Sequence, residues 1–287
     1  MTTYDIVNIG HVTHDILDDR GRVSRFIGGG AYFSAFAARR SGARVLVVTK
    51  LAEADFALLD GLKAEGVEVS ALSSAATTCI ENVFESEDVD RRKVRLITQG
   101  DSFSLADLPE VEARIWNLTG LFRGEIPPSL IAPLTERGKV ALDLQAVLRT
   151  SEQGGFAWKD WEEKADYLPY IAYLKADSLE SEVATGLTDR EEAARRLQAL
   201  GAAEVMVTHS SEVLVTDGRQ TFRAPFDPAN LSGRTGRGDT CFGSYMTWRM
   251  SHGMEESVRY AAALTSIKME SPGPFRGTRE EVLARMS

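Results

Sequence analysis

The chain has 287 residues, of which 43% are hydrophobic, so it can bury a substantial core in one main α/β domain. Its formal net charge of -9 argues against nucleic acid as the main partner, because phosphate backbones call for a basic surface. The two cysteines, Cys79 and Cys241, lie far apart and form no disulfide or zinc pattern. No basic N-terminal segment precedes an apolar run, and no run approaches the roughly 18 apolar residues that a membrane span needs. The sequence therefore predicts a cytoplasmic protein without a membrane or nucleic-acid partner.

The first predicted unit is a strand at residues 5–9, followed by a loop that contains Asp15. Ligands of open α/β sheets bind at the carboxyl ends of strands, so Asp15 is a candidate for holding substrate hydroxyls. A turn-capping role fits its loop position equally well. Farther along, Gly28, Gly29 and Gly30 precede a helix of small residues and a second strand. These glycines either let a substrate approach the backbone closely or only permit a tight turn.

Two further strands are predicted at residues 77–84 and 93–98, separated by the charged stretch 85–92. Such a hairpin between βα units can stand off the main sheet as a lid, and lids exclude water from phosphoryl-transfer sites. The alternative explanation of the charged stretch is a solvated loop. We expect a single domain over residues 1–287 with a β-lid insertion at about residues 77–99.

The middle of the chain continues to alternate between strand and helix patterns. A helix is predicted at residues 156–164, because two tryptophans three positions apart share a helix face. A strand is predicted at residues 170–175, and Asp177 and Glu180 follow it at the start of another helix. Their spacing fits an N-cap and its capping-box partner. The same pair could also organise Mg²⁺ through waters.

The most informative stretch is residues 231–243, which contain a Gly-Arg-Gly turn at residues 236–238 directly before Asp239. A glycine turn at a helix N-terminus offers an anion free N–H groups and the positive end of the helix dipole. A carboxylate there would repel a phosphate unless it has a separate task, such as taking a proton from an attacking hydroxyl. Phosphoryl transfer to an alcohol needs both parts together.

Over nearly its whole length, the sequence resembles the ribokinase (PfkB-type) family of carbohydrate and nucleoside kinases. The most specific similarity is Gly-Arg-Thr-Gly-Arg-Gly-Asp at residues 233–239, which resembles the family's Asp-Thr-Thr-Gly-Ala-Gly-Asp. Two other elements are similar: the Mg²⁺-associated Asn-x-x-Glu at Asp177 and Glu180, and the sugar-binding elements at Asp15, Gly28 and Gly29. The resemblance implies a ribokinase-like three-layer α/β/α domain with a central, mostly parallel sheet and a small β lid.

The resemblance also implies roles for individual residues. Asp239 would be the general base. The anion hole would consist of the amides of Gly236, Arg237 and Gly238, and single donors in such a site are typically worth about 3 kcal/mol. ATP would be the phosphoryl donor, with Mg²⁺ organised by Asp177 and Glu180. The remaining implied contacts are Thr208, Ser210 and Thr235 for the nucleotide, and Asp15, Gly28, Gly29 and Phe33 for the substrate.

Three departures from the family pattern modify these expectations. Gly233 stands where the family has aspartate, so we do not expect a monovalent-cation site that uses this carboxylate. Arg237 replaces a small residue in the anion hole, and its guanidinium either contacts phosphate or substrate or points outward to an acidic neighbour. Phe33 replaces the asparagine that contacts sugar in ribokinase-like members, which argues against ribose as the substrate.

The leading hypothesis is ATP-dependent phosphorylation of a hydroxyl on a small sugar or cyclitol. Several short segments of the sequence most resemble a branch of the family that includes inositol-kinase-like proteins. A nucleoside kinase is the rival within the same class, with Tyr32 and Phe33 as an aromatic wall that stacks a base. A non-catalytic sugar- or nucleotide-binding protein on the same fold is the rival from another class. The resemblance also allows the lid strands of two chains to pair in a homodimer.

Overall fold

The computed structural model of the protein describes residues 2–84, 92–152 and 155–286. Most of the charged stretch predicted between the lid strands, residues 85–91, lies outside the described residues. The described strands are β1 (Thr3–Ile9), β2 (Thr13–Asp19), β3 (Arg22–Gly28), β4 (Val45–Leu51), β5 (Glu68–Ser73), β6 (Cys79–Phe84), β7 (Arg92–Thr98), β8 (Glu112–Leu118), β9 (Lys139–Asp143), β10 (Arg149–Glu152), β11 (Gly155–Trp158), β12 (Ile171–Asp177), β13 (Glu204–Thr208), β14 (Glu212–Thr216) and β15 (Thr221–Pro225).

The described α-helices are α1 (Gly30–Arg40), α2 (Asp60–Ala64), α3 (Ile131–Thr135), α4 (Gln145–Leu148), α5 (Lys164–Tyr167), α6 (Ser178–Thr185), α7 (Arg190–Ala199), α8 (Arg237–Arg249), α9 (Met254–Met269) and α10 (Arg279–Arg285). Short 3₁₀ helices occupy Glu53–Leu59, Leu105–Asp107, Pro128–Leu130 and Leu168–Tyr170. Among the described helices, none combines the length and the apolar character that a membrane span requires.

The main sheet has nine strands in the order β15-β14-β13-β12-β9-β8-β1-β4-β5. Neighbours from β13 through β5 are parallel, and β14 and β15 extend the sheet antiparallel at one edge. Strand β4 is buried along its whole length, as expected of a parallel strand that is covered on both faces.

Two apolar cores cover the two faces of the main sheet. Val7 of β1 packs in one core with Leu134 of α3. Its neighbour Ile6 points to the other face and joins a core with Phe36 of α1 and Tyr245 of α8. Helices on both faces of a mostly parallel sheet make three layers, which confirms the predicted fold class.

A second sheet of six strands has the order β10-β11-β7-β6-β2-β3. The predicted lid supplies β6 and β7, while the other four strands come from two other parts of the chain. Strand β2 pairs parallel with β6 and antiparallel with β3, so Asp15 lies on a strand and the prediction of a loop there was wrong. The reason is long-range pairing, which overrides the polar, loop-like composition of residues 13–19.

The helix predicted at residues 156–164 was also wrong. Residues Gly155–Trp158 form β11 and pair with β10, and only Lys164–Tyr167 is helical. Trp161 is nevertheless in the core, with its ring centroid 5.4 Å from that of Tyr167. The tryptophan spacing therefore indicated burial correctly but assigned the wrong element, because hairpin pairing with β10 decided the backbone conformation.

Candidate active site

The main sheet presents a group of polar side chains at the carboxyl ends of three neighbouring parallel strands. Asp143 ends β9, Lys175 and Asp177 lie at the end of β12, and Thr208 ends β13. The start of α8 lies over them, since a Cβ on Gly238 would be 3.1 Å from Cε of Lys175 and 3.9 Å from Oγ1 of Thr208. Open α/β sheets bind ligands at this edge.

The N-terminus of α8 is a glycine turn without a side-chain cap. Gly236 is the N-cap with φ 76°, a left-handed conformation that favours glycine. A Cβ on Gly236 would lie 2.3 Å from Cγ of Phe33, so this ring packs directly behind the turn. The Arg237 amide donates to the Arg234 carbonyl over 3.3 Å, whereas the amides of Gly236 and Gly238 donate to no group in the described residues. The turn can therefore donate hydrogen bonds to an anion.

Asp239 lies in the first turn of α8, where its Oδ1 is 2.8 Å from the position of a Cβ on Gly30. Its carboxylate therefore sits between the N-termini of α8 and α1. Burial, followed by the charge of Asp143, raises the pKa of Asp239 to about 6, while Lys175 and Arg149 act in the opposite direction. The carboxylate is thus a stronger base than an exposed aspartate and is still mostly ionised at neutral pH.

The three consecutive glycines leave room for two carboxylates. A Cβ on Gly28 would lie 2.3 Å from Oδ2 of Asp15. Gly30 gives the same space to Asp239, as described above. Gly29 between them has φ 98°, and its Cβ would lie 2.1 Å from a backbone carbonyl oxygen. The glycine run is therefore both a tight turn and a close approach, and it brings Asp15 and Asp239 to the start of α1.

Asp15 is buried on β2 and accepts the Ile80 amide of β6 at 3.1 Å. Burial raises the pKa of Asp15 to about 6, although the hydrogen bond from the Ile80 amide and the charge of Arg149 lower it. The second sheet thus contributes a buried carboxylate to the same region as the main-sheet residues.

Arg149, at the start of β10, is a site residue that the sequence pattern did not indicate. Its charge acts on both Asp15 and Asp239. Its Nε donates to the Leu121 carbonyl at 2.6 Å, and its guanidinium lies 4.3 Å from the centroid of the Phe156 ring. Only the pairing of β10 with the second sheet brings this cation near the two aspartates, so no local signal could have identified it.

Lys175 is the second residue that sequence reasoning missed. Its ammonium is buried and donates to both oxygens of Asp143, at 3.0 and 3.1 Å, and to Glu180 at 3.4 Å. Burial alone lowers the pKa of Lys175, but the charges of Asp143 and Glu180 outweigh it and raise the pKa. The one available signal was a lysine inside an otherwise apolar strand pattern, which predicts a buried partner.

Asp177 and Glu180 form the capping box that their spacing predicts. The backbone amide of Glu180 donates to the side-chain carboxylate of Asp177 at 2.8 Å. The backbone amide of Asp177 donates to the side-chain carboxylate of Glu180 at 2.7 Å. Burial raises the pKa of Glu180 to about 8, while the charge of Lys175 lowers it. The pair therefore starts α6 and also places two carboxyl groups beside Lys175.

The remaining residues predicted to contact the nucleotide or the substrate differ in how far they are exposed. Thr208 is buried at the end of β13, whereas Ser210 in the β13–β14 turn and Thr235 before α8 are exposed. Phe33 is 2% exposed and Tyr32 is 4% exposed, and both belong to the core beneath α8. The structure thus brings Thr208 to the strand ends and places Phe33 behind the glycine turn.

Comparisons with known proteins identify the family of this chain. The model of the pfkB family of carbohydrate kinases matches residues 3–280. A pyrophosphate-dependent kinase in the ribokinase family, complexed with a pyrophosphate analog and myo-inositol, is 35% identical, with a TM-score of 0.90 over 97% of this chain and 99% of that chain. A sulfate complex of a pyrophosphate-dependent kinase in the same family is 36% identical, with a TM-score of 0.92 over 97% of this chain and 99% of that chain.

More distant structures share the fold. Ribokinase from Arabidopsis thaliana, complexed with ribose and ATP, has a TM-score of 0.77 at 19% identity, over 100% of this chain and 99% of that chain. No curated protein sequence matches this chain. The family match spans nearly all of the chain and includes the glycine turn, Asp239 and the strand ends described above. The chain therefore belongs to the pfkB family of carbohydrate kinases, which makes it a phosphotransferase with the ribokinase-like fold.

Proposed function

We propose that this protein transfers a phosphoryl group to a hydroxyl of a cyclitol such as myo-inositol. The observation that carries the proposal is the position of Asp239, whose carboxylate lies between the N-termini of α8 and α1 and has a pKa raised to about 6. Such a group can take a proton from a hydroxyl while the adjacent turn donates hydrogen bonds to a phosphate.

In the proposed step, the hydroxyl oxygen forms a bond to the terminal phosphorus of the donor, and the bond from that phosphorus to the bridging oxygen breaks. The hydroxyl proton passes to Asp239, and the electron pair of the broken bond stays on the departing phosphate. The amides of Gly236 and Gly238 would donate to the phosphoryl oxygens as negative charge develops there.

Mg²⁺ fits the acidic side of the site as an ion held through water. Among the described residues, no three metal-ligating side chains are arranged to bind a metal directly. Asp177 and Glu180 each use one oxygen in the capping box, so their remaining oxygens are the donors that we assign to the hydrated ion. Mg²⁺ binds through few carboxylates and retains its waters, and it would neutralise charge on the donor phosphates.

Pyrophosphate is the donor that we propose, with ATP as the second candidate. The relatives at 35% and 36% identity are pyrophosphate-dependent kinases, whereas a ribokinase of the same fold was found with ATP. In this chain, burial and then the charges of Arg190 and Arg237 lower the pKa of His209. Two guanidinium groups thus lie near the β13–β14 turn and the start of α8. Arg190 pairs with Glu212 at 2.9 Å, and Arg237 is the cation that we assign to the second phosphate of a small, highly charged donor.

A polyhydroxylated acceptor suits the side of the site that the second sheet forms. Asp15 can accept hydrogen bonds from hydroxyl groups, and the charge of Arg149 acts on the same region. The nucleoside-kinase alternative requires an aromatic wall, but Tyr32 and Phe33 are buried in the core. These observations favour a cyclitol or sugar over a nucleoside.

The test offers pyrophosphate or ATP, each with Mg²⁺, to the enzyme together with myo-inositol, ribose or adenosine, and identifies products by phosphorus NMR and mass spectrometry. We expect pyrophosphate and myo-inositol to give a cyclitol phosphate and orthophosphate. Product from ATP alone would reassign the donor, and product from adenosine alone would favour the nucleoside kinase. Donor binding without turnover of any pair would favour a non-catalytic binding protein.

Gly28→Ala is expected to lower kcat/KM for the acceptor by about 100-fold, the size of effect seen when a group in the site moves by about 1 Å. Gly28 has no positive φ, so alanine fits the backbone, and the expected cause is contact between the new Cβ and the Asp15 carboxylate. Steady-state kinetics with varied acceptor and varied donor would measure the effect, with the donor KM unchanged.

The matched control for this substitution is Gly253→Ala, because no atom lies within 4 Å of a Cβ at that position. This control should retain wild-type kinetics. Wild-type kinetics in Gly28→Ala, or equal losses in the two variants, would remove Asp15 from the acceptor site.

A further inference from the structure

Lys268 is a buried cation that does not belong to the group of polar side chains formed by Asp143, Lys175 and Glu180. It lies in the last turn of α9 and is 1% exposed. Its ammonium forms no salt bridge with any acid in the described part of the chain, although the charge of Asp239 acts on it. Buried lysines normally pair with a carboxylate, so the other partners of this one call for an explanation.

The partners of the Lys268 ammonium are two backbone carbonyls and one aromatic face. Nζ donates to the carbonyl oxygens of Gly233 and Thr235, at 2.5 Å in each case. It also lies 5.3 Å from the centroid of the Phe33 ring. Carbonyl oxygens and a ring face are the neutral ligands that a desolvated monovalent cation prefers.

The two carbonyls belong to the loop that leads into α8, and this loop is tied to the end of α9. The Gly233 amide donates to the backbone carbonyl of Met269 at 2.8 Å, and the Ser232 hydroxyl donates to the backbone carbonyl of Glu270 at 2.8 Å. A Cβ on Gly233 would lie only 1.8 Å from the Ser271 carbonyl oxygen. The loop therefore presents carbonyl oxygens to the negative end of the α9 dipole, where a positive charge is required for their close approach.

The same ammonium is connected to the anion-binding turn by two routes. Thr235 directly precedes Gly236, the N-cap of α8, and Phe33 packs against Gly236 from behind. Burial lowers the pKa of Lys268 to about 8, against the effect of Asp239, so the group is still mostly charged at neutral pH. A change at Lys268 would therefore reach the amides that bind phosphate without any contact to the substrate.

We propose that the Lys268 ammonium is a built-in monovalent cation, which fixes the 233–236 loop and the anion-binding turn and makes the enzyme independent of dissolved K⁺. Lys268 is in this account a positioning residue, because it acts through the turn and not on the reacting atoms. The effect of Lys268 on turnover can be measured only if the proposed function is correct. Its effect on Tm does not depend on the proposed function.

The experiment compares Lys268→Ala, which leaves a space, with Lys268→Met, which fills it with an apolar chain. Turnover and Tm are measured in KCl, NH₄Cl, LiCl and choline chloride at constant ionic strength, with exposed Lys63→Ala as the matched control. In choline chloride, Lys268→Ala should lose about 100-fold in turnover, as expected for a displacement of about 1 Å in the turn. KCl or NH₄Cl should restore part of this loss and raise its Tm, because an ion that binds only the folded state stabilises it.

Lys268→Met should stay impaired in every salt, and the wild type and Lys63→Ala should be indifferent to the cation. Activation of the wild type by K⁺, or a Lys268→Ala enzyme that responds equally to all four salts, would overturn the proposal. If Lys268→Ala does not fold in any salt, the wild type decides alone: equal turnover and Tm in KCl and choline chloride support the proposal. If the wild type has no turnover with any substrate pair, the proposed function fails, and the Tm comparison still tests the cation.

Discussion

Asp239→Asn is expected to lower the turnover number by about 10²- to 10⁴-fold, the range typical for the loss of a general base. The amide has nearly the same shape and keeps its place between the N-termini of α8 and α1, but it cannot accept the hydroxyl proton. Donor binding should change little, because the turn that we propose to bind phosphate is retained. Product formation gives the turnover number, and isothermal titration calorimetry gives the affinity for the donor.

The control for Asp239→Asn is Asp60→Asn, an aspartate whose side chain is 71% exposed. This variant should keep wild-type turnover. Near-normal turnover of Asp239→Asn would exclude Asp239 as the base. A loss of donor binding equal to the loss of turnover would indicate that the substitution had disturbed the anion-binding turn instead.

Lys175→Met is expected to destabilise the fold by about 3–5 kcal/mol, the cost typical of removing one partner from a buried ion pair. Lys175 is the cation that Asp143 and Glu180 share, and methionine would leave both carboxyl groups buried beside an apolar chain. Turnover should fall as well, because the ammonium lies against Gly238 in the turn that we propose to bind phosphate. Urea denaturation measures the stability and steady-state kinetics measures the turnover.

The stability loss in Lys175→Met should depend on pH. Burial already raises the pKa of Glu180 to about 8, and removing the lysine charge raises it further. An acid with a raised pKa stabilises the folded state below its unfolded pKa of about 4.3, and this contribution is lost as the pH rises through the folded pKa. The wild type loses the same contribution up to its own Glu180 pKa of about 8, so the extra loss in Lys175→Met should be smaller near pH 7 than near pH 9.

Lys63→Met is the matched control for Lys175→Met, since Lys63 pairs with Asp60 on the surface with 56% of its side chain exposed. It should change stability by less than about 1 kcal/mol at either pH. Equal effects of the two substitutions would show that the buried cluster contributes no more than a surface pair.

Local signals were sufficient for the parts of the site that are formed by neighbours in sequence. The glycine turn before α8 and the Asp177–Glu180 capping box depend on contacts within three or four residues, and the structure contains both. Lys175 and Asp143 are 32 residues apart and meet only because β9 and β12 are adjacent in the sheet. A single sequence without strand order cannot supply that pairing.

The second sheet illustrates the same limit. A hairpin at residues 77–99 was predictable from two apolar runs around a charged stretch, and β6 and β7 lie there. Its partners β2 and β11 come from about 60 residues before and after it, and their polar or tryptophan-containing sequences resemble a loop and a helix when read alone. The pairing of the strands, and not their intrinsic preference, decided these conformations.

The proposed acceptor and donor residues are carried by different parts of the scaffold. Asp15 and Arg149 lie on strands of the second sheet, whereas the glycine turn, Asp239 and Lys175 belong to the main sheet and its helices. On this proposal, substitutions in β2 or β6 change which hydroxyl compound is accepted and leave the glycine turn and Asp239 in place, whereas a substitution of Arg149 in β10 would act on both Asp15 and Asp239. This division predicts that acceptor preference can be redesigned by substitutions in a single peripheral sheet.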